Sequence, residues 1–213
     1  VQPVEEMAVD VGLSREEAEK IVSLGDRVTF LGEPRALLGN RVTAAGLDDR
    51  AGCAVLIRVA ELLQTERLST RVTFLFSSRE ETGEQGAQTA AYVEAPDQAI
   101  VVDVSFAQQP GVKAEKSGKL SAGPMLGIAP VLDVKMGKML VEIAKEKEIP
   151  LQYEVMGGTA GTNADSIGIS RGGVRCAMLS IPERNMHTPV EIVDLEDLEN
   201  TARLIAEYVR RAD

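Results

Sequence analysis

The chain has 213 residues, 44% of them hydrophobic, which is enough to bury the core of one or at most two domains and excludes a wholly disordered chain. Its net charge of −10 comes from 33 Asp and Glu against 23 Lys and Arg, and this balance argues against nucleic acid and membrane surfaces as partners. A single histidine and two cysteines leave carboxylates to carry most of any chemistry. We find no CxxC pair, signal peptide or apolar run of spanning length, so we expect a cytoplasmic protein with free thiols.

The first 45 residues predict the remnant of a small β-domain and a connector. Ser14 and Glu17 have the spacing of a capping box and predict a short charged helix. The run RVTFL at residues 27–31 is rich in β-forming residues. The stretch that follows contains Gly, Pro and Asn without a clear period, so we interpret it as the connector into a main domain over residues 46–213.

The main domain alternates predicted helices with predicted strands. Helices are predicted at residues 50–64, 86–95, 135–148 and from Asp194, its N-cap, to the C-terminus. Strands are predicted at residues 72–78, 98–105, 151–156 and 174–182. The first two of these strands are apolar nearly throughout, which is typical of strands buried on both faces. The pattern therefore predicts an α/β fold with a doubly wound, largely parallel sheet and helices on both faces.

Acidic residues gather where these strands end. Glu80 and Glu81 follow the strand at 72–78, Asp103 lies near the end of the strand at 98–105, and His187 follows the strand that ends at Pro182. Ligands of such sheets bind at the carboxyl ends of the strands, so one crevice would collect these side chains. The pair Asp48-Asp49 immediately precedes a predicted helix and is expected in the same crevice.

Taken singly, most of these residues have a simpler explanation. Asp48-Asp49 would suit a helix N-cap, Glu80-Glu81 a solvated turn, and His187 a surface or hydrogen-bonded core position. Asp103 is different, because burying an unpaired carboxylate inside an apolar strand costs several kcal/mol. Together the residues predict an oxygen-rich metal site with one imidazole, for which zinc, cobalt or manganese is suitable.

Five segments resemble the tetrahedral aminopeptidases, a family of dinuclear metal enzymes of glutamyl or leucyl type that also carries the names cellulase M and endoglucanase. They occur in the family's order over the last 170 or so residues: GLDDRAG at 46–52, SREETGEQGAQTAAY at 78–92, VVDVSFAQQPGVK at 101–113, GGTAGTNADSI at 157–167 and SIPERNMHTPVEIVDLEDLE at 180–199. The resemblance implies a metal-dependent aminopeptidase acting on peptides with two zinc or cobalt ions. It also implies a homo-oligomer for the full-length protein.

The resemblance also implies a role for each matching residue. Asp48 would bridge the two metal ions, with Asp49 as its neighbour outside the ligand set. Glu80 would be the general base, while Glu81 and His187 would bind one ion. Asp103 would bind the other.

One ligand of the family has no counterpart in this sequence. The family supplies a second histidine from an upstream His-x-Asp segment, whereas His187 is the single histidine of the chain. With Val1 as its first residue, the chain is expected to be a fragment that holds one metal ion at best and has little peptidase activity.

Three other functions compete with this interpretation. A metal-independent glycoside hydrolase would use a carboxylate pair such as Glu80 and Asp103. A serine hydrolase would use Ser170, the centre of a G-x-S-x-G match, although the predicted helix before it and strand after it reverse the order that a nucleophile elbow needs. A non-catalytic remnant would keep the acidic cluster only as structure.

Overall fold

A computed structural model of the chain describes residues 3–212, and its contacts divide into two compact units, one ending at Leu31 and the other beginning at Gly32. The first unit contains a 3-10 helix, Val4–Glu6, and the short helix α1, Arg15–Ala18. Its capping box is confirmed: the Ser14 hydroxyl accepts the Glu17 amide at 3.3 Å, and the Glu17 carboxylate accepts the Ser14 amide at 3.0 Å.

The run RVTFL is rich in β-forming residues but forms no strand. Residues 27–31 have no strand structure, and all five are exposed. A strand is stable only when another strand pairs with its backbone, and none does so here among residues 3–212. The assignment of residues 1–45 to a small β-domain and connector stays a prediction.

The second unit alternates strands and helices from Arg35 to Arg211. Its helices are α2 Leu47–Leu63, α3 Gln85–Glu94, α4 Val134–Glu146, α5 Asn163–Gly168 and α6 Leu195–Arg211. Its strands are β1 Arg35–Ala36, β2 Arg41–Ala44, β3 Gln98–Phe106, β4 Met125–Ile128, β5 Gln152–Val155, β6 Arg175–Glu183 and β7 Glu191–Asp194. Two more 3-10 helices are at Glu80–Thr82 and Ala114–Lys116.

The main sheet has four strands in the order β3-β6-β4-β5. Strand β3 pairs with β6 in parallel, with Asp103 opposite Ser180, and β4 pairs with β5 in parallel. Strands β4 and β6 are antiparallel. The α/β class with a largely parallel sheet is thus confirmed.

Helices cover this sheet on both faces, as the doubly wound prediction requires. Successive residues of a strand point to opposite faces. In β6, Leu179 and Ile181 join the core formed with α2, α4 and α6, whereas Cys176 and Met178 join the core formed with α3 and α5. Burial of these two apolar layers is the main favourable contribution to folding.

The predicted strand at residues 72–78 is wrong. These residues form no strand, and they alternate between half-buried and exposed, with Phe76 at 52% exposure. No strand pairs with this run within the described part of the chain. It still leads directly into Glu80 and Glu81.

A second sheet connects the start of α2 with the start of α6. It is antiparallel, in the order β1-β2-β7, with Ala44 opposite Glu191 and Arg41 opposite Asp194. Asp194 is the N-cap of α6, as predicted, and accepts the Glu196 amide at 3.0 Å. Across residues 3–212, none of the helices has the length and apolarity that a membrane span requires.

The first turn of α6 also fixes the loop before β4. Asp197 is fully buried, and its two carboxylate oxygens accept the backbone amides of Ser121 and Gly123, each at 2.7 Å. A buried carboxylate that receives two amides in this way fixes the backbone it binds.

Candidate metal centre

Asp48 and Asp49 lie between β2 and the regular part of α2. Both have non-helical dihedral angles, so they form a kink at the start of the helix. Asp49 accepts the Gly52 amide at 2.7 Å in the manner of an N-cap, which agrees with the simple interpretation of this pair. Gly52 is required there, because an added Cβ would lie 2.2 Å from the Asp49 carboxylate. The Asp48 carboxylate takes no part in this cap.

Glu80 and Glu81 begin the 3-10 helix that precedes α3. Arg79 before the helix and Gly83 after it both have left-handed backbone conformations, so the helix begins and ends within this one turn. A 3-10 helix has three residues per turn, so consecutive side chains point about 120° apart. Glu80 is half-buried and Glu81 is exposed. The two neighbours therefore face different surroundings.

His187 lies in the loop between β6 and β7 and brings these segments together. Its Nε2 atom is 3.0 Å from Asp48 Oδ2 and 3.7 Å from Glu81 Oε2. One donor atom from each of the three residues lies within 4.8 Å of the other two, so the residues can share a metal ion. Two carboxylates and one imidazole form a donor set that suits zinc or cobalt.

Asp103 lies in the carboxyl-terminal half of β3 and is outside this three-residue group. It is 8% exposed, and the one hydrogen bond that its side chain accepts from residues 3–212 is that of the Val104 amide, at 2.8 Å. Burial, together with the negative charges of Glu80 and Asp48, raises the pKa of Asp103 to about 7. The sequence-based expectation of a buried carboxylate in need of compensation agrees with this environment.

The other buried or half-buried carboxylates of the cluster also have raised pKa values. Burial, together with the charges of neighbouring carboxylates, raises the pKa of Asp48 to about 6 and that of Asp49 to about 8. Burial and the charge of Glu81 likewise raise the pKa of Glu80. Burial and mutual repulsion disfavour the ionised form of these carboxylates. A bound cation would therefore stabilise their negative charges.

Two acids beside this cluster are not assigned to it from the sequence, where Glu183 is considered only as the acid of the serine hydrolase alternative. Glu183 ends β6 fully buried, and neither carboxylate oxygen has a hydrogen-bond partner among the described residues. Burial, followed by the charges of Glu191 and Asp48, raises the pKa of Glu183 to about 9. Glu191 is 3% exposed and contacts the backbone on both sides of the site. Their closeness in sequence to His187 was the available signal.

The structure does not support the serine hydrolase alternative. Ser170 follows helix α5 and precedes strand β6, which is the reverse of a nucleophile elbow. Its hydroxyl oxygen is buried and has no hydrogen-bond partner within residues 3–212, so no base is positioned to activate it.

Comparisons with known proteins identify relatives of this chain. Residues 1–204 match the M42 glutamyl aminopeptidase family. The lysyl aminopeptidase of Pyrococcus furiosus is 38% identical over 201 residues, covering 92% of this chain and 57% of that protein. The chain spans about three fifths of the length of the curated relatives it matches, 62% and 57% of the first two.

Two solved structures share the fold. The TET aminopeptidase from the marine sediment archaeon Thaumarchaeota archaeon SCGC AB-539-E09 has a TM-score of 0.89 at 30% identity and covers 100% of this chain and 64% of its own. The TET1 peptidase of Pyrococcus horikoshii, which can assemble into a tetrahedron or a large octahedral shell, has a TM-score of 0.78 at 29% identity, with 95% and 60% coverage. With the family match over almost its whole length, the chain belongs to the M42 glutamyl aminopeptidase family.

Proposed function

We propose that this chain carries the catalytic centre of a metal-dependent aminopeptidase, which removes N-terminal residues from peptides. The observation that carries the proposal is the meeting of Asp48, Glu81 and His187 from three distant segments, with donor atoms within 4.8 Å of one another. Family membership supports the same activity.

In this proposal Asp48, Glu81 and His187 hold one divalent ion, zinc or cobalt. Asp48 and Asp103 contribute to a second position, which lacks an imidazole in this sequence, so we expect the chain to hold one ion at best. A bound divalent ion would lower the pKa of water and polarise a peptide carbonyl. Asp49 is outside the proposed ligand set and caps α2 through the Gly52 amide.

Glu80 is the proposed general base. Its raised pKa suits a group that must accept a proton from water near neutral pH and then return it. Because Glu80 and Glu81 point about 120° apart on their 3-10 helix, Glu81 can bind an ion while Glu80 faces the water. The proton then passes from Glu80 to the leaving amine as the peptide bond breaks.

The full-length protein is a homo-oligomer in this proposal, and the support is that the TET1 peptidase of Pyrococcus horikoshii can assemble into a tetrahedron or a large octahedral shell. The protein is cytoplasmic in this proposal. Its partner is a peptide rather than nucleic acid or a membrane, in accordance with the net charge of −10.

Metal binding by the chain itself gives the first test. Zinc or cobalt at 100 times its dissociation constant should stabilise the folded chain by about 2.7 kcal/mol, since the ion binds the native state alone. His187→Ala should remove most of this gain, and Ser170→Ala should keep it. The measurement is the melting temperature with and without each ion. Equal melting temperatures for the unmodified chain would favour a non-catalytic remnant.

A further inference from the structure

One carboxylate, that of Glu191, contacts the backbone at both ends of the proposed metal centre. Its Oε2 atom accepts the amide of Leu47 at 2.6 Å and that of Asp48 at 3.3 Å. Its Oε1 atom accepts the amide of His187 at 3.1 Å. Leu47 is 144 positions from Glu191 in the sequence, so a single side chain connects two loops that are far apart along the chain.

The position of Glu191 explains why it can make all three contacts. It is the first residue of β7 and lies opposite Ala44 at the end of β2. The loop from β2 into α2 carries Leu47 and Asp48, and the loop from β6 into β7 carries His187. Glu191 is 3% exposed, so its hydrogen bonds compete little with water.

One of these two loops has a strained backbone. Asp48, with φ −79° and ψ 105°, has ordinary extended geometry. His187 has a left-handed backbone conformation at φ 62°, which is costly for a residue with a Cβ. A charged acceptor forms stronger hydrogen bonds than a neutral one, so the Glu191 carboxylate is suited to hold these two backbones in place.

We propose that Glu191 is a positioning residue, whose carboxylate sets the distance between the imidazole of His187 and the carboxylate of Asp48. This inference rests on the proposed function only in that the two residues positioned are proposed ligands. Glu191 acts through backbone amides and needs no direct contact with an ion.

Asp197 provides a matched control for this proposal. It is also a buried carboxylate that accepts distant backbone amides, those of Ser121 and Gly123, but its contacts are with the loop before β4. Asp197→Asn therefore reproduces the general cost of weakening such a contact. Any effect of Glu191→Gln that Asp197→Asn lacks belongs to the metal centre.

The test compares Glu191→Gln, Glu191→Asp and Asp197→Asn in the 213-residue chain. Glu191→Gln places an amide NH₂ against a backbone donor, and Glu191→Asp keeps the charge but shortens the reach by one methylene. We expect both to weaken cobalt binding about 10- to 100-fold and to alter the visible absorption of bound cobalt, whereas Asp197→Asn should do neither. Circular dichroism checks folding, and Glu191→Asp decides the result if Glu191→Gln fails to fold.

A second measurement needs no metal. The chain has one histidine, so the Hε1 proton of its imidazole gives a single signal in nuclear magnetic resonance spectra of histidine-labelled protein. In the metal-free protein this signal should move in both Glu191 variants and stay in place in Asp197→Asn. Wild-type behaviour of Glu191→Asp, or equal changes in all three variants, would overturn the proposal. Absence of cobalt binding by the wild-type chain would overturn the proposed function instead, while the imidazole signal still decides the role of Glu191.

Discussion

Replacing Glu80 by glutamine in the full-length protein is expected to lower kcat by about 10²- to 10⁴-fold, the usual contribution of a general base. Glutamine keeps the size of the side chain but cannot accept the proton. Because Glu80 is outside the group formed by Asp48, Glu81 and His187, metal content should stay nearly unchanged. Release of an aminoacyl-anilide and metal analysis of the same sample measure the two effects.

Glu81→Gln is the matched control for that result. It changes the neighbouring residue in the same way, but it removes a proposed ligand whose Oε2 is 3.7 Å from His187 Nε2. We expect this variant to lose metal together with activity. If Glu80→Gln loses metal and Glu81→Gln retains it, the two roles have been assigned in reverse.

The second large effect concerns the pH dependence of folding in the metal-free chain. Glu183 has a pKa of about 9 in the folded protein because of burial and the nearby charge of Glu191, against about 4.5 when unfolded. Between these values the folded state binds more protons than the unfolded state. The free energy of unfolding must therefore fall as pH rises from 4.5 to 9, by on the order of 5 kcal/mol for this group.

Glu183→Gln should remove this part of the pH dependence. Its free energy of unfolding should match that of the wild type at pH 5 and exceed it by several kcal/mol at pH 8, since glutamine carries no charge to bury. Asp49 and Asp103 also have raised pKa values, so some pH dependence should remain. Urea unfolding at both pH values, with chelator present and with the exposed Glu115→Gln as control, measures the difference. Parallel curves for wild type and Glu183→Gln would contradict the assigned environment of Glu183.

The elements that the sequence predicts well are those whose apolar pattern matches the faces that they bury. Helix α6 follows from its apolar stripe and the Asp194 cap, and β3 and β6 follow from apolar runs that are indeed buried on both faces of the sheet. The runs at 27–31 and 72–78 have equally strong β-forming residues. They form no strand, because strand formation depends on a pairing partner that no local pattern reveals.

The candidate site divides in the same way. Asp48, Glu81 and His187 are recognisable from residue type and motif order, and they do lie together. The contacts of Glu191 with Leu47 and Asp48 depend on the register of β2 against β7, and the burial of Glu183 depends on how the end of β6 packs. Both are consequences of long-range structure, so composition and spacing do not predict them.

Metal dependence of peptide hydrolysis is the most direct test of the central claim. The full-length protein should release N-terminal residues from an aminoacyl-anilide or a short peptide, lose this activity when a chelator removes its metal, and regain it with added zinc or cobalt. Activity on peptides that survives complete metal removal would contradict the account. So would activity confined to glycosides under the same conditions, since paired carboxylates need no metal for that reaction.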